Sequence, residues 1–142
     1  MWTIGYERLL PEMLVAELQR AGIRRLIDVR LRPQSRRPGM SKTKLGLRLA
    51  EHTIAYEHWR ELGTPIEIRV LYRTGASRAA ATAYREHLAR EASDELERLG
   101  ATLRDGPATA LLCLEADPAH CHRRVICEAL VARDPRLTII DL

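Results

Sequence analysis

Between Trp2 and Val29 the chain runs strand, helix, strand, and that succession constrains its fold more than any other feature. Trp2 to Gly5 reads as a short first strand. Pro11 opens a helix in which Leu14, Val15 and Leu18 keep helical spacing until Gly22 ends it, and Leu26 to Val29 follows as an apolar run of strand length. A strand, a helix and a second strand in so short a span form a βαβ unit, which calls for a parallel sheet and a right-handed crossover.

The remaining segments extend the same pattern. Ser41 stands where it can cap a helix carrying Leu45, Leu47 and Leu49, and Ile54 to His58 reads as a third strand. Gly63 and Pro65 punctuate the segment after that strand. From Ala79 to Leu103 the residues are mostly strong helix formers, with Leu88, Ala92, Leu96 and Leu99 on one stripe and Ser93-Asp94 as a break between two helices. Gly106 and Pro107 stop that stretch, Ala108 to Leu114 is a fourth strand, a last helix follows Asp117, and Leu137 to Ile140 supplies a fifth strand. At 142 residues the chain fits one domain over 1–142. The expected fold class is α/β: a single-domain, three-layer α/β arrangement with a mainly parallel five-stranded sheet, Rossmann-like in kind.

No apolar stretch is long enough to cross a bilayer, and MWTIGYE lacks the regions of a signal peptide, so a cytoplasmic protein is expected. Three cysteines without a secretion signal read as free thiols. The formal charge is +4, and Lys42 and Lys44 are the only lysines, so the basic character is carried by arginine. Its distribution matters more than its sum. Arg30, Arg32, Arg36 and Arg37 crowd a segment that also holds Pro33, Pro38 and Gly39, which places several guanidiniums on a loop suited to binding an anion.

In a parallel α/β sheet the ligand crevice lies outside the carboxyl ends of the strands. Three polar clusters end there: Gly5, Tyr6 and Glu7; Asp28, Val29 and Arg30; and Glu115 to Arg124. The run CLEADPAHCHRR, Cys113 to Arg124, is the densest, with two thiols, two imidazoles, two carboxylates and two guanidiniums at a strand-to-helix junction. Asp117 and Pro118 read as the N-cap and first position of the helix. At about 100° per residue, His122 then points toward the sheet, Arg124 points outward, and Cys121 and Arg123 sit on opposite shoulders. Cys121 falls in the first turn, where the helix dipole and nearby cations favour a nucleophilic thiolate. Cys127 reads as packing. A metal is not expected: structural zinc sites usually draw on two separated ligand pairs, and adjacent helical residues diverge. Cys113, Cys121 and His122 are the least implausible ligands on offer.

Three segments, TIGYE from Thr3 to Glu7, LIDVR from Leu26 to Arg30 with RPQSRRPGMSK after it, and LCLEADPAHCHRRVICEAL, together resemble the domain-of-unknown-function 488 (DUF488) family of bacteria and archaea. The resemblance runs almost end to end, includes YEHWRELGTP, and is most specific at Cys121, His122 and Arg123. Carried over position by position, it implies Gly5, Asp28, Arg30, Pro33, Ser35, Arg36, Glu115, Pro118, Cys121, His122 and Arg123 as family positions. Tyr6 and Glu7 stand where many members have His and Ser. The LIDVR strand also resembles that of rhodanese-like sulfurtransferases, in which Cys113 takes the place of the catalytic cysteine. The acidic segment Leu114 to Asp117 lacks the glycine and arginine of an anion-cradling loop.

The expectation is an enzyme, a hydrolase or transferase, that binds a phosphorylated small molecule, nucleotide or nucleic-acid end without a cofactor. Arg30, Arg36, Arg123 and Gly5 are expected to bind the anion; His122, Cys121, Asp28 and Glu115 are the expected catalytic groups. The alternatives are a non-catalytic nucleic-acid-binding module gripping phosphates through the arginine loop, Lys42 and Lys44, and thiol chemistry of the sulfurtransferase kind. Self-association is compatible with the sequence.

Overall fold

The βαβ reading holds, and the computed structural model, which describes residues 1–142, shows how the remaining strands join it. The elements in chain order are β1 (Trp2–Gly5), α1 (Pro11–Arg20), β2 (Arg25–Asp28), α2 (Lys42–Glu51), β3 (Ala55–His58), α3 (Ile66–Arg73), α4 (Ser77–Glu91), α5 (Ser93–Asp105), β4 (Thr109–Cys113), α6 (His122–Arg133) and β5 (Ile140–Asp141). Every strand pairing is parallel, and the order across the sheet is β3-β2-β4-β1-β5.

That order, with right-handed crossovers, dictates the layers. From β1 to β2 to β3 the chain advances in one direction, so α1 and α2 lie on one face; from β3 to β4 to β5 it returns, so α3 to α6 cover the other. The core divides accordingly. Leu14, Val15, Leu18, Leu45 and Leu49 pack with Ile4, Leu26, Ala110 and Leu112, whereas Tyr84, Leu88, Leu96, Leu99, Ile126 and Leu130 pack with Ile27, Val29, Leu111 and Cys113. Alternation along β4 sends Ala110 and Leu112 to one face and Leu111 and Cys113 to the other. The chain leaves β4 toward the face opposite to that used by its neighbours β1 and β2. The carboxyl end of β4 is therefore the switch point of the sheet, where a crevice opens.

Several local expectations change. Helix α3, not foreseen in the sequence, begins just after Pro65, and only Ile68 of its residues is fully buried. Ser41 occupies the N-cap position of α2, but its hydroxyl accepts from the Ser35 amide and ties down the basic loop rather than capping the helix. Asp117 and Pro118 do form a cap, of a single 3-10 turn, Pro118–His120, in which the Asp117 carboxylate accepts from the Ala119 amide at 2.8 Å. The α-helix starts one turn later, at His122, with Cys121 in extended conformation (φ −135°, ψ 144°) as its N-cap. β5 begins at Ile140 and not at Leu137, because the Leu137 amide is turned back to the Asp134 carbonyl and pairing starts where the Ile140 amide reaches the Met1 carbonyl. No helix is long and apolar enough to cross a membrane.

Candidate functional site

Beyond β1, the chain continues pairing with the segment that follows β4. The Tyr6 amide donates to the Cys113 carbonyl and the Glu7 amide to the Leu114 carbonyl, while the Glu7 carboxylate accepts from the Ala116 amide. Beyond β2, Asp28 is buried and accepts from the Arg30 amide and guanidinium and from the Tyr56 hydroxyl. Arg30 also donates to the Tyr6 hydroxyl at 2.8 Å and to the Met40 carbonyl at 3.0 Å. The three strand ends predicted to converge are thus wired together, and the basic loop is held against them. Arg37 clamps that loop from outside through the Glu7 and Leu9 carbonyls.

A cavity of about 130 Å³ lies at this junction, lined among others by Tyr6, Arg30, Arg32, Arg69, Tyr72, Cys113, Glu115, Cys121 and His122. Of the expected catalytic groups, His122, Cys121 and Glu115 line it, whereas Asp28 does not and instead holds the lining residue Arg30. Of the expected anion-binding groups, Arg30 lines it, with one N–H left free by its bonds to Asp28, Tyr6 and Met40. Arg123 is buried elsewhere, donating to the Ile4 carbonyl at 2.6 Å with its Nε unpartnered. Arg36 borders a separate surface groove with Arg37, Lys44 and Arg48. Gly5 serves the junction by having no side chain: a Cβ there would lie 1.8 Å from the Glu115 carbonyl oxygen.

Arg69 and Tyr72 escaped the sequence reading as site residues, and Arg32 was singled out only as part of the basic loop. Neither Arg32 nor Arg69 is paired with a carboxylate. The Tyr72 hydroxyl is buried without a partner, and burial pushes its pKa up, so it stays a proton donor. Arg69 and Tyr72 both come from α3. The signal available was Pro65 followed by Ile68 and Leu71, one turn of helical spacing.

At the floor, Cys113 Sγ lies 3.8 Å and Cys121 Sγ 3.7 Å from His122 Nδ1. The other ring nitrogen, Nε2, is 2.9 Å from the Val29 carbonyl and must donate to it, so Nδ1 faces the sulfurs. Tyr84 packs edge-on against the ring, with centroids 5.1 Å apart, and holds its plane. The two thiols differ. The neighbouring Cys121 sulfur, with His122 and the charge of Arg123, holds Cys113 well below the usual thiol range against the cost of burial, whereas burial and the neighbouring Cys113 push Cys121 well above it. Between these two coupled thiols the thiolate is favoured at Cys113 and disfavoured at Cys121, which stands at the extended N-cap and not inside the helix. Against the cost of burial, the Cys113 charge raises His122. Burial and Cys113 raise Glu115, whose carboxylate lies 3.1 Å from Cys113 Sγ. Cys127, packed in the core away from this cluster, is pushed up to about 12 by burial.

The extended Cys121 also removes the premise that two adjacent helical side chains must diverge. Cys113, Cys121 and His122 present donor atoms that all lie within 4.8 Å of one another.

No curated protein and no solved structure matches the chain. A protein-family model described as "Domain of unknown function DUF488" matches residues 11–130, which include Asp28, Arg30, Arg69, Tyr72 and the whole run from Cys113 to His122.

Proposed function

The chain belongs to the DUF488 family, and from its cavity we propose that it is an enzyme, a hydrolase or transferase, acting on a small anionic substrate such as a phosphorylated metabolite or nucleotide. The observation that carries this reading is a pair of guanidiniums without carboxylate partners, Arg32 and Arg69, on a cavity whose floor holds Glu115, Cys113 and His122. A cavity of about 130 Å³ suits a phosphoryl or carboxylate group rather than a whole nucleotide. The remainder of the substrate emerges past Arg32 and Leu114, both exposed.

In this reading Arg69, Arg32 and the free N–H of Arg30 hold the anion, and the unpartnered Tyr72 hydroxyl donates to it. Glu115 stands beside the reacting position and takes or returns the proton. His122 and Cys113 form the polar floor below it. Three free thiols fit a reducing, cytoplasmic setting.

Ligand binding to the native state raises the melting temperature, so a thermal-shift series tests the reading. Inorganic phosphate or a nucleotide is expected to raise Tm by several degrees in wild type. Arg69→Ala is expected to abolish the shift, and Arg36→Ala, on its separate groove, to leave it intact. Absence of any anion-dependent shift, or its survival in Arg69→Ala, overturns the reading. The groove of Arg36, Arg37, Lys44 and Arg48 favours a second one, a nucleic-acid-binding module. That alternative predicts short-DNA affinity that falls steeply with salt, by roughly one logarithmic unit of slope per neutralised phosphate, and that is lost in Arg36→Ala.

A further inference from the structure

We propose that Cys113, Cys121 and His122 form a zinc site whose fourth position opens into the cavity. The proposal goes beyond the anion-binding reading and does not depend on it, because it stands on the donor atoms alone.

Tetrahedral zinc, with Zn–S about 2.3 Å and Zn–N about 2.0–2.1 Å, sets neighbouring donors roughly 3.5–3.8 Å apart. The observed sulfur-to-nitrogen separations are 3.8 Å and 3.7 Å, and all three donors fall within 4.8 Å. Both sulfur-to-nitrogen edges of a coordination tetrahedron are thus laid out, and the sulfur-to-sulfur edge closes within 4.8 Å. Three separate features produce it. Alternation on β4 turns Cys113 toward α6, the extended N-cap swings Cys121 back over the same point, and the Val29 carbonyl fixes Nε2 so that Nδ1 is the free donor. A carbonyl on the distal nitrogen is the usual support for a metal-bound imidazole.

The donor set selects the metal class. Two sulfurs and an imidazole suit zinc or cobalt and exclude magnesium and calcium, which take oxygen ligands. Two thiolates and a neutral imidazole together balance the charge of a divalent ion. All three ligands are nearly inaccessible (5%, 1% and 4% exposed), yet all three border the cavity. Three protein ligands with an open position are the pattern of a catalytic site. Zinc held there would activate a water at the open position, with Glu115, which lies beside Cys113, placed to take its proton.

Cobalt(II) reports the geometry directly. Full-length protein, reduced and freed of metal by chelation, is titrated with Co²⁺. One equivalent is expected to produce thiolate-to-cobalt charge-transfer absorption in the near ultraviolet and the intense visible bands of tetrahedral cobalt, both bleached by one equivalent of Zn²⁺. Cys113→Ser, Cys121→Ser and His122→Ala are expected to lose the signal, and Cys127→Ser to keep it. Should the ligand variants fail to fold, alkylation of wild type by iodoacetamide gives an independent reading, with Zn²⁺ expected to protect Cys113 and Cys121. No cobalt spectrum in folded wild type with reactive thiols, or alkylation of Cys113 equally fast with and without Zn²⁺, overturns the proposal and assigns the cysteines to thiol chemistry. Neither result bears on the phosphate shift and its Arg69 dependence, so the two readings fail separately.

Discussion

Replacing Asp28 by asparagine is expected to cost about 3–5 kcal/mol of folding free energy, because it leaves the Arg30 guanidinium buried without its counter-charge. Asp28 is fully buried and Arg30 only 6% exposed, with Nη2 of the arginine 2.5 Å from the carboxylate. Burial alone lowers an arginine's affinity for its proton; here the hydrogen bond and charge of Asp28 more than compensate and hold Arg30 above its ordinary value. Burial and the same carboxylate push the Tyr56 hydroxyl far above the usual tyrosine range, so it remains a donor to Asp28. One carboxylate thus ties β2 to β3 through Tyr56 and, by way of Arg30, to Tyr6 beyond β1 and to Met40 in the basic loop. Urea denaturation should show a lower midpoint with an unchanged slope. If the stranded charge is the cause, the double variant Asp28→Leu with Arg30→Met recovers part of the loss. A loss below about 1 kcal/mol in Asp28→Asn, or a double variant worse than the single, sinks this account.

Arg30 also shows where the sequence stops being informative. Its place at the end of LIDVR marked it for the site, and it does line the cavity, yet nearly all its donors are consumed by Asp28 of its own segment and by partners from two others. The fate of a guanidinium depends on which oxygens the fold brings to it. Arg123 repeats the lesson, meeting the Ile4 carbonyl from across the sheet. Strands β1, β2 and β4 and helix α1 were legible because their apolar spacing is local. The insertion of β4 between β2 and β1 was not, since pairing across the sheet leaves no trace in either strand. Helix α3 is eight residues with a single fully buried side chain, too short to display a period, and with it went Arg69 and Tyr72. Asp117-Pro118 was a true capping signal attached to a 3-10 turn. That displacement of one turn is what lets Cys121 meet Cys113 and His122.

The Gly5→Ala variant is expected to lose about 3 kcal/mol, at the upper end of what overpacking costs, and to lose the phosphate-induced thermal shift even where it remains folded. The reason is steric alone, since the Gly5 backbone carries no positive φ. A Cβ at Gly5 would meet the Glu115 carbonyl oxygen at 1.8 Å, the Glu115 carbonyl carbon at 2.5 Å and the Ala116 Cα at 2.8 Å, all main-chain atoms with no side chain to swing aside. The segment must therefore move as a unit. It is held by the Tyr6 and Glu7 amides and by the Glu7 carboxylate on the Ala116 amide, so displacing it breaks these bonds and shifts Glu115 off the cavity. Gly22 provides the comparison. It has a φ of +69° and nothing within 4 Å of where a Cβ would stand, so Gly22→Ala carries only the left-handed penalty, about 1–2 kcal/mol. Its phosphate shift should match wild type, because Gly22 closes α1 at the far end of the sheet from the crevice. If Gly5→Ala proves no less stable than Gly22→Ala, the close approach of β1 to the Glu115 segment is not what shapes the site.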